Sequence, residues 1–428
     1  MDRREFLKYC LTLGALGAVS RFGPASAGSV ENSGKMKKIK ILLRDFRTVV
    51  KNGKVVNFNI GTTAHGPGAA AMLQKFLPGC EIRVWASAPL SAPLERMMAR
   101  RFPNIRIVSG SLSASSEVQE AARWCDLLLP GPGTGIPTAG DVNDFVRYCS
   151  KPFGAAGIGY APGDLKKIPQ PGFLFFRDTE ALAAAQRDGL NVPTGFVPDG
   201  AFAFDAADDA GAEKFMEHHG LEKGRFVCCL PRYRKTPFWE FCPGRQAAPG
   251  VIDYNHSMVK QDMTPLVEAA CRVVREKHWK VLLAPETEPA TRLCQNELFS
   301  MFPDDVKPQI AVPEYFWEAD LALSIYRQSR GLFGTEMHSQ VMAVGSGIPA
   351  IVCRTREFGS KSQMWNDLGL GAWLFDFDSA DDRQRFPEAV IRMFSKEEHT
   401  RRLVQQAQTV LAERFGFFAD FLRKQYGC

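Results

Sequence analysis

"GLFGTEMHSQVMAVGSGIPAIVC", residues 331–353, reads as a short buried strand, a tight turn, a helix and, past Gly-Ile-Pro, a second buried strand. Corners of this kind are where open α/β sheets bind ligands, because the carboxyl ends of their strands face a crevice. The turn here holds Glu336 and His338, so the corner is a candidate site as well as a fold signal.

The same alternation recurs along the chain. "KIKILLRDF" (38–46) opens as a strand, and "NIGTTAHGPG" (59–68) follows as a Gly-rich turn leading into a helix. "LERMMARRFPNIRIVSG" (94–110) and "SSEVQEAARWCDLLLPGPGTGI" (115–136) each give helix then strand, and "RFVCCLPRYR" (225–234) and "WKVLLAPETEP" (279–289) give strand then loop. Short apolar strands between amphipathic helices indicate a mainly parallel sheet covered on both faces. At 428 residues the chain exceeds the ~250–300 at which one core splits, and "FVPDGAFAFDA" (196–206) with the acidic run after it marks a junction. The fold class is read as α/β, with two Rossmann-like, doubly wound domains facing a cleft. They are placed at 38–205 and 206–428, the second closed by a long amphipathic helix broken at Gly416.

Composition excludes several classes of function. With 45% hydrophobic and 23% charged residues the chain is an ordinary globular protein, and 53 basic against 47 acidic side chains are spread without a basic stripe, which argues against nucleic acid. The first 27 residues stand apart. Arg3-Arg4 ahead of Phe6, Leu7 and Lys8, the apolar "CLTLGALGAV" and the small-residue "ASA" at 25–27 form a twin-arginine export signal. The expected partner is the twin-arginine translocation machinery, and the expected location is periplasmic or extracellular. The mature chain would start near Gly28, with 28–37 a flexible polar terminus and no long apolar stretch after it to span a membrane. The eleven cysteines show no CxxC pairing, no zinc spacing joins Cys and His, and no cofactor motif stands out.

Loops that follow apolar strands line the cleft of such a sheet. They supply Asn59 and His65, then Arg177 and Asp178, then Asp199. The second half adds Arg232, Arg234 and Lys235, then Glu286, then Thr335, Glu336 and His338. Cations and histidines beside helix N-termini suit an anionic substrate. Simpler roles are open for several: Arg177-Asp178 as an ion pair or helix cap, Glu286 as a cap of the next helix, His338 as a packed residue one turn into its helix. The aromatics of "EYFWEAD" (314–320) read as core or cleft wall.

"FFRDTEAL", "VPDGAFAF" and "GTEMHSQVMAVGSGIPAIVC…K…LGL" occur in an order that resembles the polysaccharide pyruvyl transferase family, over about Asn57 to Leu370. The resemblance implies a fold similar to GT-B glycosyltransferases. The implied activity is transfer of a pyruvyl ketal from phosphoenolpyruvate to two hydroxyls of an envelope or extracellular sugar, with no further cofactor or metal. It makes His338 the acid–base or substrate-binding residue, with Asp199 and Glu286 as candidates for orienting hydroxyls. Arg177, Arg232, Arg234 and Lys235 would hold the anion, in a site shared with Asn59, His65, Thr335 and Glu336. Three positions depart from the family pattern: Glu336 where Arg is common, Thr62 where Asp is usual, and Ala181 in place of Ser. An ionised Glu336 would repel an anionic donor. Two rival readings follow, a GT-B-like transferase or hydrolase with a different donor and a non-catalytic glycan-binding protein.

Overall fold

The computed structural model describes residues 38–46, 49–51, 54–135, 138–242 and 244–427. The export signal 1–27 and the polar terminus 28–37 read from the sequence lie outside the described residues.

Two parallel sheets order the chain. In the first, Arg106–Ser109, Glu81–Ala86, Lys40–Arg44 and Leu127–Pro130 lie side by side. A parallel bridge from Leu128 to Phe153 carries the layer on to Gly154–Ile158, Phe173–Phe176 and Thr194–Phe196. The second sheet runs Ile310–Ala311, Lys280–Leu283, Phe226–Leu230, Leu332–Gly334, Ala350–Arg354, Leu374–Asp376. Parallel strands are covered on both faces and so carry apolar residues at every position. Leu127–Pro130, Phe173–Phe176 and Phe226–Leu230 are buried throughout, including Cys228 and Cys229, and the cysteines form no disulfide among the described residues. No helix among these residues is long and apolar enough to cross a membrane.

In the second sheet the chain begins in Phe226–Leu230, adds two strands on one side, then crosses to add three on the other. The crevice where strand order reverses lies beyond the carboxyl ends of Phe226–Leu230 and Leu332–Gly334, where such sheets bind ligands. The loop holding Arg232 and the corner holding Glu336 and His338 both open there.

The Gly-rich segment departs from its sequence reading. Residues Ile60–Phe76 form one helix, capped by the Asn59 side chain on the Thr62 amide and buried on every side from Ile60 to Leu73 except at Thr62. Its glycines serve close approach rather than a turn. A Cβ on Gly61 would fall 2.4 Å from the His338 ring, and one on Gly68 2.2 Å from the Gly200 carbonyl oxygen. The helix Glu397–Tyr426 departs too, running unbroken through Gly416. Its stripe Val404, Ala407, Leu411, Phe415, Phe418 and Leu422 is buried, and Phe418 and Phe421 pack edge-on against Phe173 and Phe175 of the first sheet. A glycine interrupts a helix only when its lost propensity is not offset, and this packed stripe offsets it.

Gly68→Ala should therefore lower stability by about 1–3 kcal/mol through overpacking. Gly416→Ala, whose Cβ meets open space, should raise it by up to about 1 kcal/mol. Urea unfolding midpoints that move in the same direction for both variants would refute the contrast.

Candidate active site

The site is assembled from both halves of the chain at Glu286. This residue follows the strand Lys280–Leu283, and its carbonyl accepts the Ile60 amide at 3.1 Å while the Glu288 amide reaches the Phe58 carbonyl at 2.9 Å. An antiparallel bridge between Asn59 and Thr287 completes the stitch. The Glu286 side chain turns the other way. Its Oε2 accepts the Ser339 amide at 2.7 Å and its Oε1 lies 3.1 Å from His338 Nδ1. It thus caps the helix His338–Gly345 rather than the helix after its own strand, and His338 is the first residue of that helix.

A carboxylate only accepts, so His338 Nδ1 carries the proton and Nε2 presents a lone pair. That Nε2 is buried without a hydrogen-bond partner. Burial pulls the His338 imidazole below its ordinary 6.5 despite the Glu286 charge. Burial would raise Glu286, but the His338 hydrogen bond and the Ser339 amide hold it down to about 2.

A second histidine–carboxylate pair faces the first. His65 Nε2 lies 3.5 Å from Asp199 Oδ2, and its ring meets that of His338 edge-on with centroids 4.9 Å apart. Asp199 is fully buried, accepting Arg177 Nη1 at 3.2 Å and the Ala201 amide at 3.0 Å. Burial lowers the His65 pKa, but the Asp199 charge outweighs it and the imidazole ends above 6.5. Burial alone would raise Asp199; His65 and Arg177 hold it far below the usual carboxylate range. One imidazole therefore keeps its proton and the other keeps its lone pair, which is how neighbouring groups divide into acid and base.

Around these pairs stand cations with unsatisfied donors. Arg177 and Arg232 each bury a guanidinium Nε that has no hydrogen-bond partner. Arg232 and Lys361 share the face of Phe358, at 5.2 and 4.3 Å from its centroid. Loss of water and the Arg232 charge pull the Lys361 ammonium down to about 7, against the pull of Glu336 and Glu286. Arg232 Nη1 lies 3.8 Å from Glu336 Oε2. Glu336 is buried beside the Glu286 charge, and both effects raise its pKa well above its ordinary value, against the pull of Arg232 and Lys361.

The other candidates fall elsewhere. Arg234 is buried in a two-bond pair with Asp262 of the helix Val251–Arg272, both at 2.8 Å, and in a 2.6 Å bond to Asp378, so carboxylates take up its fork although it lines a cavity with Arg232. Lys235 is exposed, Thr335 bonds the Leu230 carbonyl, and Asn59 is a helix cap. Asp178 caps its own helix while Arg177 leaves it for Asp199. Trp317 is core, donating to the Pro285 carbonyl at 2.9 Å, whereas Tyr315 is exposed. Lys361 was not among the sequence candidates. The signal for it was the lone lysine between the Gly-Ile-Pro strand and "LGL".

A cavity of about 340 Å³ lined by Arg232, Lys235, Trp239 and Arg245 adjoins the cluster through Arg232. A larger one of about 650 Å³ lies beside Phe76, Phe204 and Gln408, away from the acid–base groups. His65, Asp199 and His338 offer three ligand atoms within 4.8 Å of one another. A divalent ion among them would sit against the guanidinium already bonded to Asp199, so charge repulsion favours proton handling there over metal binding.

No protein-family model matches the chain, and no curated protein matches its sequence. Solved structures match its fold. HepE of Anabaena, in complex with UDP-glucose, is 11% identical over 90% of this chain and 98% of its own, with a TM-score of 0.54. MnaA of S. aureus, solved with UDP, is 14% identical over 91% and 96%, with a TM-score of 0.53. A putative UDP-N-acetylglucosamine 2-epimerase from Listeria monocytogenes is 14% identical over 90% and 94%, also at 0.53. The chain has the two-domain, Rossmann-like GT-B fold, and at these identities the likeness is one of fold alone.

The acid–base division is open to direct measurement. By NMR titration the His65 imidazole should titrate above 6.5 in the wild type and lower in Asp199→Asn, where Asp199 no longer opposes burial and the Arg177 charge. An unchanged value in the variant would remove Asp199 from that role.

Proposed function

We propose that this protein is an acid–base transferase with an anionic donor, and that it transfers a pyruvyl group from phosphoenolpyruvate to two hydroxyls of one sugar in an envelope or extracellular glycan. The observation that carries the reading is the meeting of two histidine–carboxylate pairs with Arg177, Arg232 and Lys361 in one crevice. Three cations suit a donor whose carboxylate and phosphate carry about three negative charges.

The chemistry uses both imidazoles. His65 gives its proton to the methylene carbon of the donor, leaving a cationic carbon that bears carboxylate and phosphate. A sugar hydroxyl adds there, its proton passing to His338 Nε2. The carbon–oxygen bond to phosphate breaks, and the departing phosphate takes the proton from His338. The second hydroxyl closes the ketal ring and returns a proton to His65. The raised pKa of Glu336 favours its protonated form, which would donate a hydrogen bond to the donor carboxylate where the family commonly has arginine. The reading needs no further cofactor. Export by the twin-arginine machinery, and a glycan partner met outside the cytoplasm, are part of the same proposal.

A second reading is favoured by the ligands of the fold neighbours, UDP-glucose in HepE and UDP in MnaA. In it the same cations hold the diphosphate of a sugar nucleotide.

Calorimetric titration separates the two. Phosphoenolpyruvate should bind the wild type saturably and at least tenfold more weakly to Arg232→Met; binding of UDP-glucose without phosphoenolpyruvate would replace the first reading by the second. His338→Ala should retain fold and binding but lose turnover, and unchanged turnover would exclude His338 from the mechanism. The pH profile of kcat/KM should be a bell. Its acid limb lies below 6.5, where His338 gains a proton, and its alkaline limb above 6.5, where His65 loses one. A flat profile across that range would contradict the assignment.

A further inference from the structure

We propose a second site, independent of the first: a zinc-type divalent cation bound by His218, His219 and Glu314. These residues lie outside the acid–base crevice. His218 ends the helix Asp209–His218, His219 follows it, and Glu314 stands in the loop before the helix Ala319–Gln328.

The two imidazoles converge on one carboxylate from both sides. His218 Nε2 lies 3.4 Å from Glu314 Oε1, and His219 Nε2 lies 3.5 Å from Glu314 Oε2. A charge-assisted hydrogen bond closes to about 2.7–2.9 Å, so both contacts are long for that role. Each imidazole nitrogen instead faces a different oxygen of Glu314 at the ~3.4 Å that separates neighbouring ligand atoms around a cation with ~2.1 Å bonds, as for a carboxylate binding through both oxygens. One ligand atom from each residue falls within 4.8 Å of the others, leaving the exposed side of His218 for a water as fourth ligand.

A second observation supports a ligand at this place. The His219 side chain is 8% exposed, and its Nε2 is buried without a hydrogen-bond partner. A buried ring nitrogen left unsatisfied costs about 1–3 kcal/mol unless something binds it. The ring is held in position by Phe215 at 4.3 Å, and the His219 carbonyl by Lys280 Nζ at 3.1 Å. Two imidazoles and a carboxylate form a borderline donor set that selects zinc over magnesium or calcium.

The consequence would reach the catalytic crevice. Three residues past Glu314, Trp317 packs on Phe215 and donates to the Pro285 carbonyl, adjacent to Glu286. Glu318 accepts a bond from Asn57 at 2.6 Å, two residues before the Asn59 cap. A cation clamping Glu314 to His218 and His219 would brace the loop on which both contacts depend.

The test is titration of the metal-stripped full chain with zinc, read by calorimetry and thermal unfolding, on the wild type, His218→Ala and Glu314→Gln. Both substituted side chains are mostly exposed, so folding is expected to survive. The wild type should bind one equivalent and unfold at a higher temperature with zinc, and both variants should bind at least tenfold more weakly and lose the shift. Absence of binding by the wild type would overturn the proposal, and so would unchanged binding in the two variants. Binding lost in His65→Ala instead would move the metal to the other cluster and equally overturn it.

Discussion

The carboxylate of Glu286 is the constraint on which the site depends. It is an anion inside the protein, and such a charge persists only where donors replace the water it has lost. The Ser339 amide and the His338 ring supply two, so the helix His338–Gly345 is capped and the histidine tautomer set by one group. A cap of this kind contributes about 0.5–2 kcal/mol. Its backbone accepts the amide of Ile60, which ties the Gly-rich helix of the first half to the same point. Gly61 lets that helix press against the His338 ring, and four residues on, the helix carries His65 to the facing edge. Packing, capping and acid–base chemistry are thus one arrangement.

Charge in the crevice is arranged as opposed pairs with cations in excess. The pKa values of Asp199 and Glu286 are held low because each has a histidine and a backbone amide to answer it, whereas burial and the nearby Glu286 charge push that of Glu336 up. Arg177 and Arg232 each bury an unsatisfied nitrogen, and Lys361, drawn down to about 7, lies over Phe358 beside Arg232. Buried donors left unsatisfied in this way are the groups that the proposed anionic donor would occupy.

Much of this was legible in the chain. Parallel sheets demand apolar runs, so "LLLP", "FLFF" and "FVCCL" announced themselves as strands, and the loops after them contained nearly every group that meets in the crevice. The errors have a common cause. Gly-rich "NIGTTAHGPG" has poor intrinsic helix propensity, yet it is helical because only glycine allows the approach of His338 and Gly200. Gly416 looked like a break for the same reason and is carried by the aromatic stripe around it.

The strands, the α/β class and the pool of candidate residues follow from hydrophobic periodicity and turn chemistry, which act over a few neighbours and are written locally. Pairing is different. Arg177 could have answered Asp178 beside it and instead answers Asp199; Arg234, two residues from Arg232, points to Asp262; Glu336 reads as an ordinary anion until burial beside Glu286 raises its pKa. Each outcome depends on distances between segments far apart in the chain and on the water removed when they meet, and neither quantity exists before the chain has folded.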